Sequence, residues 1–163
     1  MLAVMARLLI VWHSRTGGAE AMARAAGETR ECEIVLRQAE VTEPDDILAA
    51  DGYLFACPEN LASMSGAMKE FFDRTYYPLL GRIEGRPYAT MICAGSDGEG
   101  AARQIARIAT GWRLKAVADP LIVCTHAQTA EAILVPKVIA VADLVRCREL
   151  GQTLAAGLAM GIY

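Results

Sequence analysis

Arg7-Leu8-Leu9-Ile10-Val11-Trp12-His13-Ser14-Arg15-Thr16-Gly17-Gly18-Ala19 decides the fold. From Arg7 to His13 the run is nearly all apolar, as expected of a strand buried on both faces. A turn rich in hydroxyls and glycine then opens onto a small-residue helix with Ala19, Met22, Ala23 and Ala26 on one stripe. A strand that passes into a helix this way is the first half of a β-α-β unit. The turn suits an anion. Ser14 and Thr16 offer hydroxyls, Gly17 and Gly18 allow close backbone approach, and the first helical turn points unpaired N–H groups at the same spot with a favourable dipole. It is not a Walker loop, which needs Lys and Ser/Thr after its last glycine, nor a G-x-G-x-x-G dinucleotide turn. It reads as a cradle for a monophosphate ester, with an ordinary capped turn as the plainer alternative.

Four further strand-like runs follow: Glu33 to Arg37, Gly52 to Cys57, Tyr88 to Ala94 and Leu121 to Cys124. Helical spacing recurs between them. The third helix carries Met68, Phe71 and Phe72, and the fourth Ile105, Ile108, Ala109 and Trp112. A last helical segment is expected from Pro136, with Val138, Val141 and Val145 and then Leu150, Leu154 and Leu158 facing the core. The second connection, Glu43 to Ala50, is short. Strand and helix alternate from end to end, which implies a parallel sheet with right-handed crossovers and helices on both faces. The expectation is a three-layer α/β fold with a five-stranded sheet of order 2-1-3-4-5, Pro120 marking an edge strand. No repeat, low-complexity tract or linker composition divides residues 1–163, so one domain is expected.

Bulk composition narrows the function classes. The chain has 163 residues, 54% of them hydrophobic, and a formal net charge of −3, which gives no electrostatic reason to expect nucleic acid or an anionic membrane as partner. A small molecule fits better. Met1 to Trp12 is apolar but broken by Arg7 and lacks a small-residue cleavage site, so neither an export signal nor a membrane span is read there and a cytoplasmic location is expected. Cys32, Cys57, Cys93, Cys124 and Cys147 form no C-x-x-C pair, and they read as buried free thiols in place of metal ligands.

In an open α/β sheet, ligands sit beyond the carboxyl ends of the strands. Three loops therefore matter: His13 to Ala19, Pro58 to Gly66 and Gly95 to Gly100. The second is long for a structural turn and sets Leu61 and Met64, both expected to be exposed, between polar groups that suit a flat ligand. The third has three glycines that let backbone approach a planar ring, or else is a turn with Asp97 as the N-cap of the next helix. His126 falls just past the fifth strand, on the ligand side, either approaching a ligand or without a role. His13 is expected to pack or cap, and Trp12 and Trp112 to anchor the core.

The loop Ser14-Arg15-Thr16-Gly17-Gly18, then Pro58, then Met64-Ser65-Gly66-Ala67-Met68-Lys69-Glu70-Phe71-Phe72-Asp73-Arg74, resembles the flavodoxin-like superfamily. The likeness is greatest to its NAD(P)H-dependent FMN reductases and tryptophan-repressor-binding-protein-type quinone reductases. The resemblance implies one FMN per subunit. Ser14, Arg15, Thr16, Gly17 and Gly18 would hold the phosphate, while Pro58, Glu59, Asn60 and Leu61, with Gly95, Ser96, Asp97 and Gly98, would border the isoalloxazine ring. A hydroxyl residue often stands at the position of Ala19, and Arg15 is the candidate to compensate for its absence.

Electron-carrying flavodoxins clasp the ring between aromatic side chains and are strongly acidic. Neither trait is present here: the two ring loops lack Phe, Tyr and Trp, and the pI is about 5.4. The resemblance therefore implies a reductase taking electrons from NADH or NADPH to a quinone or similar small acceptor. No residue is required as general acid or base. A carrier, or a non-redox binding module of the same fold, is the alternative. A homo-oligomer is expected, and Tyr76-Tyr77-Pro78-Leu79-Leu80 is expected either beside the flavin edge or in the core.

Overall fold

A computed structural model describes residues 3–163; Met1 and Leu2, the first residues of the apolar opening, lie outside it. Five parallel strands form the body of the sheet: β1 (Arg7–Trp12), β2 (Glu33–Gln38), β3 (Gly52–Asn60), β5 (Pro87–Ala94) and β7 (Leu121–Cys124). Two short strands complete seven. β4 (Ser63–Met64) folds back antiparallel on the end of β3, and β6 (Lys115–Ala116) pairs with the start of β5. The order is β2-β1-β3-β5 with β6 and β7 together along the outer edge of β5, which is the expected 2-1-3-4-5 arrangement with its last strand split. Pro120 sits in the split, where no ladder N–H is demanded of it.

The helices are α1 (Gly18–Ala26), α2 (Pro44–Ala49), α3 (Gly66–Thr75), α4 (Glu99–Gly111), α5 (Ala130–Leu134) and α6 (Val141–Met160). The two faces of the sheet are covered by different chemistry. Tyr53, Phe55, Phe71, Phe72 and Trp112 fill one face, with the Phe55 and Phe72 rings at 5.2 Å and the Phe72 and Trp112 rings at 5.7 Å. The other face holds Ala19, Met22, Ala23, Ala26, Cys147, Leu154 and Ala155 of α1 and α6. Small side chains bring these two helices close: a Cβ on Gly151 would overlap the carbonyl of Ala26.

Local chemistry sets the helix boundaries. Proline stands at the start of α2, and its entry is a capping box in which Glu43 and Asp46 satisfy each other's backbone. The carbonyls leaving α2 are taken by Arg86, whose guanidinium reaches the oxygens of Leu48 (2.8 Å) and Ala50 (2.7 Å). Arg74 likewise ties α3 to the carbonyls of Ala39 and Thr42.

Three expectations need correction. The last helix starts at Val141 and not near Pro136, because residues 135–140 run extended and the Lys137 N–H donates to the Thr16 carbonyl at 2.7 Å. That tertiary bond overrides the local helical signal. Val138 and Val141 are consequently exposed, and the buried stripe of α6 is Cys147, Gly151, Leu154 and Ala155. Tyr76 to Leu80 lies at the amino edge of the sheet, beneath the end of α3, so it is remote from the ligand edge; Leu79 is buried and Tyr77 exposed. Strand β3 also runs three residues past Cys57, converting the first part of the second loop into hairpin.

The thiols are free. Cys32, Cys57, Cys93 and Cys147 are buried and Cys124 is partly so. Burial pushes the Cys57 thiol up to about 12 and that of Cys147 up to about 11, which keeps both inert and neutral. Trp12 and Trp112 are buried anchors, as expected.

Substitution of Gly151 by alanine is expected to lower stability by about 1–3 kcal/mol through overpacking against Ala26. At roughly 2–4 °C per kcal/mol for a chain of this size, the loss is visible in a thermal melt. Gly66→Ala, whose Cβ would meet nothing within 4 Å, serves as the control. Equal melting temperatures for the two variants would show that α1 and α6 are not in close contact.

Candidate functional site

Loops from four of the five parallel strands meet at the carboxyl edge: 13–17 after β1, the end of β3 with its hairpin at 58–65, 95–98 after β5 and 125–129 after β7. The expected site residues are thus gathered by topology. None of these loops carries Phe, Tyr or Trp.

The first loop is built to present backbone donors. His13 continues the β1 ladder by donating its N–H to the Ala56 carbonyl, after which the chain turns away from the sheet. Gly17 takes a left-handed conformation (φ 92°) and leads into α1, and its N–H is the one capped internally, by Ser14 Oγ at 3.0 Å. The N–H groups of Ser14, Arg15, Thr16, Gly18, Ala19 and Glu20 have no hydrogen-bond partner among the described residues. Helix α1 has no side-chain cap. The exposed Arg15 guanidinium makes no ion pair among the described residues. A set of unpaired donors, a free cation and the positive end of a helix suits a phosphate dianion, and each charge-assisted hydrogen bond to it is worth roughly 1.5–3 kcal/mol.

The two glycines serve different ends. A Cβ on Gly17 would enter open space, the space an anion would fill, whereas a Cβ on Gly18 would lie 2.6 Å from the Cys93 sulfur beneath it. Gly17 answers to backbone conformation and ligand access, Gly18 to packing of α1 on β5. Ala19, which has no hydroxyl to offer, is buried in the α1 core and leaves only its N–H available.

His13 links three elements. Its Nδ1 lies 2.8 Å from Ser65 Oγ, at the start of α3, and its Nε2 lies 3.6 Å from Glu40 after β2. It fixes the loop, as expected of a residue that packs or caps.

The second loop is a β-hairpin. Glu59 pairs with Met64 and Asn60 with Ser63, leaving Leu61 (φ 53°) and Ala62 (φ 62°) as a two-residue tip with both backbones left-handed. Asn-Gly is the usual occupant of such a tip, and left-handed conformations at other residues cost about 1–3 kcal/mol each. Leu61 is fully exposed, as expected, but Met64 is buried because the return strand turns it inward.

Glu59 does something the sequence did not announce. Its carboxylate accepts hydrogen bonds from the N–H groups of Gly98 (2.9 Å) and Ala101 (3.1 Å), capping α4 from across the site. Gly98 (φ 93°) is the N-cap residue of α4, so the expected role of Asp97 is corrected: it stands one residue earlier and accepts from the Glu99 N–H at 3.2 Å. Gly98 and Gly100 are small for packing, since Cβ atoms there would meet Ile122 and the Ala62 carbonyl; Gly95 faces more open surroundings, and Ser96 and Asp97 are exposed. Pro58 and Asn60 are half-buried on the hairpin's first strand.

His126 is exposed at φ 57°, and its N–H donates to the Gly95 carbonyl at 2.8 Å, which joins the third and fourth loops. No signal in the sequence pointed to Gln104, which holds the hairpin from α4 through Ser63 Oγ and the Met64 N–H, both at 2.9 Å. A side chain that acts from the first turns of a helix is invisible to loop-based reading.

This arrangement defines a flavodoxin-like α/β protein with a phosphate-type cradle at the switch in strand order. Residues 16–128 match the family described as NADPH-dependent FMN reductase, and the chain belongs to that family. It is 32% identical over 100 residues to a flavodoxin of Aquifex aeolicus (strain VF5), a match covering 59% of this chain and 54% of the relative. The match thus spans about half the length of that curated relative. Among solved structures it is similar to a flavodoxin from the domain Archaea, with TM-score 0.74 and 18% identity over 93% of this chain and 98% of the other. A WrbA-like flavodoxin from Agrobacterium tumefaciens superimposes with TM-score 0.70 and 19% identity, covering 96% of this chain and 98% of the other. These likenesses establish the flavodoxin-like fold.

Replacing Gly17 with valine is expected to weaken FMN binding by two or more powers of ten if the loop holds its phosphate, since several hydrogen bonds would then depend on that turn. Gly81→Val is a matched control: Gly81 is also left-handed (φ 73°) but lies at the opposite edge, so it shares the backbone penalty and spares the site. The readout is FMN fluorescence quenching beside the apo-protein melt. Wild-type affinity in a folded Gly17→Val variant would reduce the loop to a turn.

Proposed function

We propose that this protein is an FMN-binding oxidoreductase that passes electrons from NAD(P)H to a quinone or similar small acceptor. The reading is supported most by one observation: six N–H groups between Ser14 and Glu20, all but that of Gly17, have no partner among the described residues, beside two loops that carry no aromatic ring. Membership of the NADPH-dependent FMN reductase family gives it chemical direction.

The residues divide the work. Ser14, Arg15, Thr16, Gly17 and Gly18 hold the phosphate, Arg15 supplying charge and the loop backbone supplying directed donors. Pro58, Glu59, Asn60 and Leu61 on the hairpin, and Gly95, Ser96, Asp97 and Gly98 before α4, border the ring. When bound, FMN supplies the redox chemistry, taking hydride from the nicotinamide and giving electrons to the acceptor. The protein's part is to orient the ring and leave one face uncovered, so that nicotinamide and acceptor use the same place in turn. No side chain need act as acid or base, and His126 stands near enough to the third loop to contact an acceptor. Self-association and a cytoplasmic location remain expectations of this reading; none of the described helices is long and apolar enough to cross a membrane.

A flavodoxin-type electron carrier is the second reading, favoured by the 32% identity to the Aquifex aeolicus flavodoxin. Anaerobic stopped-flow separates the two. The reductase reading expects bleaching of bound FMN within seconds of adding NADH or NADPH, and recovery of colour on adding a soluble benzoquinone. Reduction that takes hours under saturating NADH and NADPH contradicts it and favours the carrier.

A further inference from the structure

The hairpin after β3 does not hold its own shape. Its tip places Leu61 and Ala62 at φ 53° and 62°, neither residue favours that conformation, and Leu61 buries nothing. The restraint comes from α4. Glu59, at one base of the hairpin, uses both carboxylate oxygens on the Gly98 and Ala101 N–H groups. Gln104, one helical turn further along, uses its single oxygen on Ser63 Oγ and the Met64 N–H at the other base. Between them the absent side chain of Gly100 lets the Ala62 carbonyl rest on the first turn of α4. The strained tip is pinned on both sides.

We propose that Glu59 and Gln104 are positioning residues that hold the Leu61–Ala62 tip against α4 and so fix the hairpin relative to the Gly95–Gly98 turn, the two loops that border the ring in the reading above. This rests on the flavin reading above and revises Glu59 within it: its backbone borders the ring while its carboxylate is committed to α4. The two loops on the ring side then move as one unit. The phosphate cradle at 14–20 belongs to a separate element and takes no hydrogen bond from Glu59 or Gln104.

The test uses the full-length apo-protein with Glu59→Ala, Glu59→Gln and Gln104→Ala variants, read by amide hydrogen exchange and by binding of two probes. Riboflavin reports the two ring loops without a phosphate, and inorganic phosphate reports the cradle without a ring. In Glu59→Ala the Gly98 and Ala101 amides are expected to exchange at least ten times faster, with Ile10 and Phe55 in the central strands unchanged. Gln104→Ala is expected to do the same to Met64. Riboflavin affinity falls at least ten-fold in both alanine variants while phosphate affinity stays within two-fold. Glu59→Gln, which keeps one acceptor, lies between wild type and Glu59→Ala. Unchanged protection of Gly98, Ala101 and Met64 overturns the clamp, and faster exchange with unchanged riboflavin affinity overturns its positioning role. A wild-type protein that binds neither riboflavin nor FMN overturns the flavin reading instead, and the exchange data still decide whether Glu59 and Gln104 hold the tip.

Discussion

The carboxyl edge of the sheet depends on how two helices there satisfy their first N–H groups. Helix α4 is capped from across the site by Glu59, so its positive end is already neutralised by a carboxylate. Helix α1 has no side-chain cap, and its loop offers only the Ser14 to Gly17 bond. Buried or half-buried helix ends need partners, and the α1 end has donors in excess of any acceptor the described residues supply. An incoming phosphate completes that inventory. On the proposed reading, the difference between the two ends directs the anion to α1, the end with donors to spare, and leaves the ring to the two loops beside it.

The two-sided core serves this edge. On one face, large rings from β3 and α3, with Trp112 just past α4, make a packed wall against which α4 and its Glu59 cap are set. On the other, alanine and glycine let α1 and α6 approach, and the extended 135–140 segment crosses to bond Thr16, tying the phosphate loop to the last third of the chain. Cys93 rises beneath Gly18 and fixes how low α1 sits on the sheet. Packing, not local propensity, thus sets the position of the donors.

The parts of this arrangement that repeat along the chain were legible in the sequence. Apolar runs gave β1, β5 and β7 nearly to the residue, and their alternation with helices gave the sheet order. What escaped were features made by contacts between distant segments. The start of α6 lies at Val141 because Lys137 bonds Thr16, and its core stripe is the expected Leu150, Leu154 and Leu158 joined by Cys147 and Gly151, whose small side chains carry no helical signal. The site loops were found by their glycines and polar residues, but the reasons for those glycines were partly different: Gly98 and Gly100 make room for protein, and Gly17 for open space. Glu59, legible as a ring neighbour, is also a helix cap, which only the fold shows; Gln104 carried no motif at all.

The central claim is that the backbone of residues 14–20 is an anion cradle, and amide NMR of the 15N-labelled apo-protein titrated with FMN tests it most directly. The account predicts large downfield shifts of the Thr16, Gly18, Ala19 and Glu20 amide protons, reproduced in part by inorganic phosphate and absent with riboflavin. Unmoved amides at those four positions, with FMN bound and shifts elsewhere, would contradict it.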